Sequence, residues 1–523
     1  MLSMILFAAI IMLPFGAEIL TRKIPAAECN DTKRSLSFYL LTPIMGAFVY
    51  GSFAVFAAHP LLAFAGSLLF YGGLTAVSNK KYEVLDSPFN AHDFDNLRNL
   101  YIYPEFYLSY VGWPIIALVI ATFASIIGLS ITFEESFPMY RWLKISDIHM
   151  GLSYIAFIGL WLLFLRFFRY AVSRFFNERT MHSFGVTLEL KQDIARFGLF
   201  PTVMLYHLLL NMNIDKTELR ERDFTVTTDK PQDIITIQGE SYFDLERLFS
   251  CLPQDKRTAW KTLRTLESDG TTTGSIEVPA WGAYTMQTEF SFLSMMENNR
   301  LGVDRINPYM RFAQKPVTTI ASLLKNAGYR TICIHPAKKE FFRRSDVMPN
   351  LGFEEFVGIE EFEGAPYFGK YIADSALGAR IEEIITDHHG SSDKPLFIFA
   401  ITIESHGPWA SGRLDEHVDE KALIAENPTG DREFTLYQQH MENLMALFRG
   451  LSVGSENTRP RTVALYGDHM PALGSLFQQH GFTDIPTDYL IWNSENPVSA
   501  PNNMTIEDYA AFIMKESGVS VKS

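Results

Sequence analysis

Residues 35–79 contain no Asp, Glu, Lys or Arg. At 1.5 Å per residue, a helix of that length far exceeds one crossing of a hydrocarbon core about 30 Å thick. His59-Pro60 lies near the middle of the run, and the residue before a proline is pushed out of helical geometry. The run therefore predicts two membrane crossings joined by a tight hairpin. Further charge-free runs cover residues 1–17, 106–133, 148–165 and 197–214. Buried helices of a soluble core would not supply five such runs in the first 214 residues. The first run has no basic residues ahead of it and no small-x-small site after it, unlike a cleaved signal peptide. Residues 1–214 thus read as a transmembrane domain of about six helices.

Lys and Arg in the short loops set the orientation. One loop carries Arg22, Lys23, Lys33 and Arg34, and a second carries Lys80, Lys81 and Arg98. A third basic segment carries Arg166, Arg169, Arg174, Arg179, Lys191 and Arg196. The His59-Pro60 hairpin has none, and residues 134–147 have only Arg141 and Lys144. With six crossings the basic loops all fall in the cytoplasm, and both termini lie outside. The sixth crossing, residues 197–214, is short and contains Pro201 and His207. Were it an interfacial helix instead, the second half would face the cytoplasm; the crossing is the favoured reading.

The second half has a different composition. Residues 215–232 form a polar linker. Short β-branched runs then alternate with helical patterns: Ile234 to Ile237, Thr331 to Ile334, Leu396 to Phe399, Val463 to Leu465 and Tyr489 to Ile491. Helical patterns run from Val317 to Asn326, Asp374 to Asp387 and Phe434 to Phe448. Such alternation predicts an α/β domain over residues 233–500, with a mostly parallel central sheet covered by helices on both faces. Residues 501–523 read as a C-terminal helix and tail. The net charge of −14 and pI near 5.5 argue against nucleic acid as a partner. Three cysteines are too few for a disulfide scaffold. Cys29 falls in a cytoplasmic loop, and Cys251 and Cys333 read as small buried residues.

In parallel sheets, ligands bind at the carboxyl ends of the strands. The first strand runs into Gln238-Gly239-Glu240-Ser241, and a late strand into Tyr466-Gly467-Asp468-His469. Two carboxylates and an imidazole make a donor set for Zn²⁺ or Mn²⁺. Without context, Glu240-Ser241 can equally cap a helix and Asp468-His469 can form a turn. A third segment, Trp281 to Phe290, opens a helical pattern with Met286, Phe290 and Leu293 on one face. Thr285 would lie at its N-terminus, where free N–H groups favour anions. It is either a helix cap or, on the same metal, a nucleophile toward phosphorus.

Glu240, Thr285 in a T-x-x-x-E-F segment, and Gly467-Asp468-His469 together resemble the lipoteichoic acid synthase-like phosphoglycerol transferases of the sulfatase and alkaline phosphatase-like superfamily. The resemblance covers residues 233–495, and a multi-helix membrane domain ahead of the enzyme is usual there. It implies that Glu240, Thr285, Asp468 and His469 bind one divalent metal, Mn²⁺ first, with Zn²⁺ or Mg²⁺ as alternatives. It also implies that Thr285 is the catalytic nucleophile. His335-Pro336 followed by Phe342-Arg343-Arg344 resembles the segment whose Arg contacts glycerol phosphate, although Phe342 stands where that family usually has Trp. His406, in Glu404-Ser405-His406-Gly407-Pro408, matches a His lining the phosphoglycerol pocket. The resemblance thus implies a bacterial inner-membrane transferase with its catalytic domain on the periplasmic face. Its donor is phosphatidylglycerol, and its acceptor is a hydroxyl of an envelope glycan or of polyglycerol phosphate. The leaving alkoxide takes a proton from His406 or water.

Those synthases usually have five crossings, whereas six are counted here. A phosphoethanolamine transferase of the same superfamily is the nearest alternative, but a Pro usually follows its nucleophile, and Met286 to Ser294 has none. A sulfate-ester hydrolase needs Cys or Ser in a C/S-x-P-x-R setting, which Thr285 lacks. A non-catalytic membrane lipid sensor of the same fold is the alternative from another class. Retention of all four metal-site residue types argues against it.

Overall fold

A computed structural model of the chain describes residues 2–25, 29, 33–57, 59–94, 101–104, 147–175, 178–210, 225–227, 231–410, 412–414, 417–456 and 459–522, with single positions between 117 and 128. Two compact units emerge, Met1–Thr217 and Glu218–Ser523.

In the first unit, α1 (Leu2–Leu20), α2 (Leu36–Ala57) and α3 (Pro60–Leu85) pack against one another, followed by α4 (Asp147–Phe175), α5 (Leu190–Phe197) and α6 (Leu199–Leu210). The charge-free run is divided between α2 and α3, and Pro60 opens α3, where its missing N–H costs nothing. Among the described residues, α2 and α3 are long and apolar enough to cross a membrane. Helix α2 leaves Leu36, Tyr39, Leu40, Ile44 and Phe56 exposed while Phe38, Met45 and Val49 are buried. Apolar side chains on both sides of a helix suit a lipid solvent rather than water. The run at 106–133 lies almost wholly outside the described residues. Helix α6 has 12 residues, which at 1.5 Å each covers about 18 Å; residues 211–214 lie outside the described residues.

Polar side chains tie this unit together where apolar packing cannot specify register. Buried Glu18 accepts from the Phe200 amide at 3.1 Å and pairs with Arg34 at 3.3 Å. Asp193 accepts from Thr187, Leu188 and the Tyr206 hydroxyl, fixing α5 against α6.

The second unit is built on an eight-stranded sheet. Its strands are β1 (Asp233–Gly239), β2 (Thr272–Glu277), β3 (Arg330–Ile334), β4 (Glu355–Val357), β5 (Leu396–Ile401), β6 (Arg461–Gly467), β7 (Thr487–Asn493) and β8 (Asn503–Thr505). Their spatial order is β8-β2-β7-β6-β1-β5-β3-β4, and β7 alone runs against the rest. All five strands expected from the sequence are present. Of the three others, β4 and β8 are edge strands of three residues each, and β2, next to the edge, reads Thr-Thr-Gly-Ser-Ile-Glu.

Alternate residues of the central strands feed two cores. Ile235, Ile237, Ile398 and Ala400 pack beneath α10 (Asp374–His389) and α11 (Arg432–Leu451). Ile234, Phe397, Phe399 and Cys333 face α7 (Thr285–Ser294), α8 (Ile320–Asn326), α9 (Arg344–Asn350) and α12 (Ile506–Glu516). Burial on both faces explains why these strands read as unbroken apolar runs. Helix α12 belongs to this core, with the Tyr509 hydroxyl on the Leu490 and Leu465 carbonyls. Within the segment read as a linker, Thr225–Thr227 pairs antiparallel with Ser520–Lys522. Cys333 is buried, as expected, but Cys251 is exposed, against expectation. It sits just beyond a short helix, Leu245–Phe249, where Leu248 and Phe249 take the buried positions instead.

Candidate active site

The ladder between β1 and β6 sets Gly239 opposite Gly467. The next residues, Glu240 and Asp468, therefore leave the sheet side by side. A Cβ on Gly467 would stand 1.9 Å from the Tyr242 carbonyl oxygen, so only glycine permits this approach. Glu240, Asp468 and His469 are all buried and present ligand atoms within 4.8 Å of one another. Asp468 Oδ1 accepts from the Ser241 and His469 amides at 2.8 and 2.9 Å. Its Oδ2 is buried without a hydrogen bond.

The protonation pattern of this cluster calls for a cation. His469 Nδ1 lies 3.0 Å from the Met470 carbonyl, which can only accept, so Nδ1 carries the hydrogen and Nε2 is left to the cluster. Nε2 stands 3.3 Å from Asp468 Oδ2 and 3.6 Å from Glu240 Oε1. Burial, then the neighbouring Glu240 charge, pushes the Asp468 carboxyl well above its usual range. Burial pulls His469 down, but Asp468 and Glu240 outweigh it and raise it. Two converging carboxylates, one orphaned oxygen and one imidazole fit a divalent metal of the Mn²⁺ or Zn²⁺ kind.

Thr285 is the first residue of α7, whose ten residues are all buried. It is not the cap: Tyr284 holds that position at φ 69°, with no side-chain hydrogen bond to the helix. Thr285 instead lies beside Asp468, and the Thr288 hydroxyl one turn in donates to the Asp468 carbonyl at 2.6 Å. The helix N-terminus thus meets the carboxylate cluster, with its unsatisfied N–H groups on the same side.

Arg344 is buried, and its Nη2 stands 2.8 Å from Glu289 Oε2, with side-chain exposures of 1% and 0%. Glu289 lies four residues beyond Thr285, on the same face of α7. It also accepts from Gln238 at 3.2 Å and from the Tyr309 hydroxyl. The Glu of the T-x-x-x-E-F segment is therefore an anchor that joins α7 to β1 and α9. Arg344 Nη1 is buried and makes no hydrogen bond, leaving one donor for a substrate. Phe342 is half-buried in a left-handed conformation, φ 52°, with the Arg344 guanidinium 5.4 Å from its ring centre. His406 follows β5, feels the charges of His469 and Asp468, and donates through Nδ1 to the Gly407 carbonyl at 2.8 Å. Burial pushes it down to about 4.

Two groups at this site escaped the sequence reading. Gln238 was visible one residue before Gly239, but nothing marked it as a partner of Glu289. Arg413, on the loop after β5, is buried and within electrostatic reach of Glu240 and His406; no motif flags it.

The sequence profile of the Sulfatase family matches residues 232–518. The chain is 28% identical over 468 residues to the capsular polysaccharide biosynthesis protein RkpI of Rhizobium meliloti (strain 1021), spanning 85% of this chain and 79% of that protein. Over its whole length it is similar in fold to the integral membrane lipooligosaccharide phosphoethanolamine transferase A of Neisseria meningitidis, with TM-score 0.51, 12% identity, and coverage of 98% of this chain and 95% of that one. The Streptococcus pyogenes phosphoglycerol transferase GacH aligns with TM-score 0.43 and 23% identity, over 56% of this chain and 76% of that one.

Proposed function

We propose that this chain, which belongs to the sulfatase family, is a membrane-bound transferase that moves phosphoglycerol from phosphatidylglycerol to a hydroxyl of an envelope glycan. The observation that carries the reading is Thr285 at the N-terminus of a buried helix, beside the Glu240-Asp468-His469 cluster. The relative's role in capsular polysaccharide biosynthesis supports a glycan acceptor. Apolar helices ahead of the enzyme unit suit a lipid donor, and the basic-loop asymmetry supports an outward-facing catalytic unit.

Glu240, Asp468, His469 and the Thr285 hydroxyl would hold the metal, taken here as Mn²⁺. When bound, it supplies Lewis acidity that lowers the pKa of the hydroxyl and offsets phosphoryl charge. The Thr285 oxygen attacks phosphorus, a P–O bond to Thr285 forms, and the bond to the diacylglycerol oxygen breaks. Helix N–H groups and Arg344 Nη1 face the charge that builds on the remaining oxygens. The departing alkoxide takes its proton from water, because burial keeps His406 neutral at pH 7. His406 lines the pocket instead, and the Phe342 ring offers a face to the donor. In the second half, the acceptor hydroxyl loses its proton, attacks the phosphoglycerol–Thr285 ester and frees Thr285.

The test is mass spectrometry of the full chain incubated with labelled phosphatidylglycerol and no acceptor. A phosphoglycerol increment on the Thr285 peptide is expected, and Thr285→Ala should keep its metal and form no adduct. Asp468→Ala should lose the metal. An adduct elsewhere, or a phosphoethanolamine increment from a mixed-lipid digest, would overturn the assignment. A metal-loaded chain that forms no adduct with any lipid would point to a sensor.

A further inference from the structure

We propose that Arg413 selects the donor headgroup, favouring an uncharged polyol over an ammonium. This rests on the transferase reading above and adds to it the basis of donor choice. Arg413 is 3% exposed. Its Nη2 donates to the Glu404 carbonyl at 2.8 Å, and its guanidinium carbon stands 4.7 Å from the centre of the Tyr371 ring. Nε and Nη1 are buried and make no hydrogen bond. The Tyr371 ring is in turn edge-on to His406 at 6.2 Å. Next to Glu404, Ser405 donates to the Glu240 carbonyl at 2.8 Å. The guanidinium is thus two contacts away from both the headgroup histidine and the backbone of Glu240, a residue of the metal cluster. A Cβ on Gly369 would stand 2.2 Å from the Arg413 carbonyl oxygen, so the loop is seated closely on the Tyr367–Phe368 and Tyr371–Ile372 hairpin.

Arg344 and Arg413 differ in one respect. Arg344 is neutralised by Glu289. Arg413 has no such partner: its Nη2 donates to the neutral Glu404 carbonyl, and it lies against Tyr371. Glu240 and Glu404 act on it only through space, the Glu404 carboxylate being turned to His440, Asn443 and the Asp374 amide, at 2.9, 2.8 and 2.7 Å. Arg413 therefore presents a positive charge that no carboxylate among the described residues contacts, in a low-dielectric wall. A guanidinium can only donate. Glycerol hydroxyls can accept from Nε–H and Nη1–H, which are expensive to leave buried and unpaired. An ethanolamine headgroup brings a donor-only cation, which gains no hydrogen bond from Arg413 and is repelled by it. Selectivity of this kind combines attraction to one headgroup with repulsion of the other.

The full-length protein is assayed in mixed micelles with phosphatidylglycerol or phosphatidylethanolamine as labelled donor, and the ratio of the two kcat/KM values is read. The ratio is insensitive to the fraction of enzyme that is folded. Wild type should favour phosphatidylglycerol, and Arg413→Met should lower the ratio by about 10- to 100-fold with metal content unchanged. Arg413→Lys keeps the charge and loses the fork, so it should raise KM for phosphatidylglycerol while phosphatidylethanolamine stays poor. An unchanged ratio in Arg413→Met, with phosphatidylglycerol still consumed, overturns the selectivity role and leaves the transferase reading standing. If Arg413→Met does not fold, an unchanged KM in Arg413→Lys overturns it instead. Metal-loaded wild type that consumes neither donor sinks the transferase reading itself, and a preference for phosphatidylethanolamine sinks both.

Discussion

Glu289 shows how much one side chain behind an active site can hold. It meets Gln238, Tyr309 and both Nε and Nη2 of Arg344 with no exposure to solvent. Removing one partner of a buried ion pair strands the other, which typically costs about 3–5 kcal/mol. Glu289→Gln should therefore lower the stability of the protein by that amount in denaturant titrations. Replacing Glu289 and Arg344 together by Met should recover most of it, because no charge is then stranded. A second residue-scale expectation concerns His335. Its Nδ1 donates to the Ile401 carbonyl at 3.0 Å, and burial followed by the Arg344 charge holds its pKa well below 6.5. The unfolded chain takes up this proton as pH falls below 6.5 and the folded chain refuses it. Its contribution to stability is therefore present above pH 6.5 and is lost below, at up to about 1.4 kcal/mol per pH unit. In metal-free protein, His335→Gln should flatten the dependence of stability on pH between 6.5 and 5. An unaltered slope would assign the effect to other groups.

At the scale of elements, the site depends on where β1, β6 and α7 end. Gly467 is the most constrained of these ends, and Gly467→Ala should push Tyr242 or Asp468 out of place. Overpacking of this kind typically costs about 1–3 kcal/mol. Metal affinity should fall along with stability, and calorimetric titration with Mn²⁺ checks it. The central strands were legible because burial on both faces leaves unbroken β-branched and aromatic runs. The edge strands were not: three residues such as Asn-Met-Thr carry no periodicity. Glu240, Asp468, His469 and Thr285 could be singled out because each stands at the end of a recognisable element. What could not be read is backbone shape. Ser241, Tyr284, Phe342 and Arg343 take positive φ of 59°, 69°, 52° and 58° beside Glu240, Thr285 and Arg344. Such conformations are rare for residues with a Cβ, and strained positions of this kind collect at functional sites. Arg413 was illegible for another reason: its neighbours come from Glu404 and Tyr371, and only the folded chain brings them together.

For the whole molecule, the asymmetry of the basic loops predicts that the catalytic unit faces outward. A reporter that is active only outside the cytoplasm, joined after Ser523, should give signal, and one active only inside should be silent. The opposite pattern would move the sixth apolar run onto the membrane surface and turn the enzyme unit inward. The strand order has a consequence in time as well as in space. Strand β1 is the first of the sheet in sequence, yet it lies between β5 and β6. The bond from the Leu396 amide to Asp233 spans 163 residues, and the one from the Ser241 amide to Asp468 spans 227. Non-local pairing of this kind folds slowly, because a long loop must close before any contact rewards it. During synthesis, Glu240 therefore emerges long before the residues it must meet. A chain interrupted anywhere short of Asp468 has no donor cluster and, on the proposed function, no means of attacking a lipid. The order of the strands works as a delay, arming the candidate site only once nearly all of the second unit has been made.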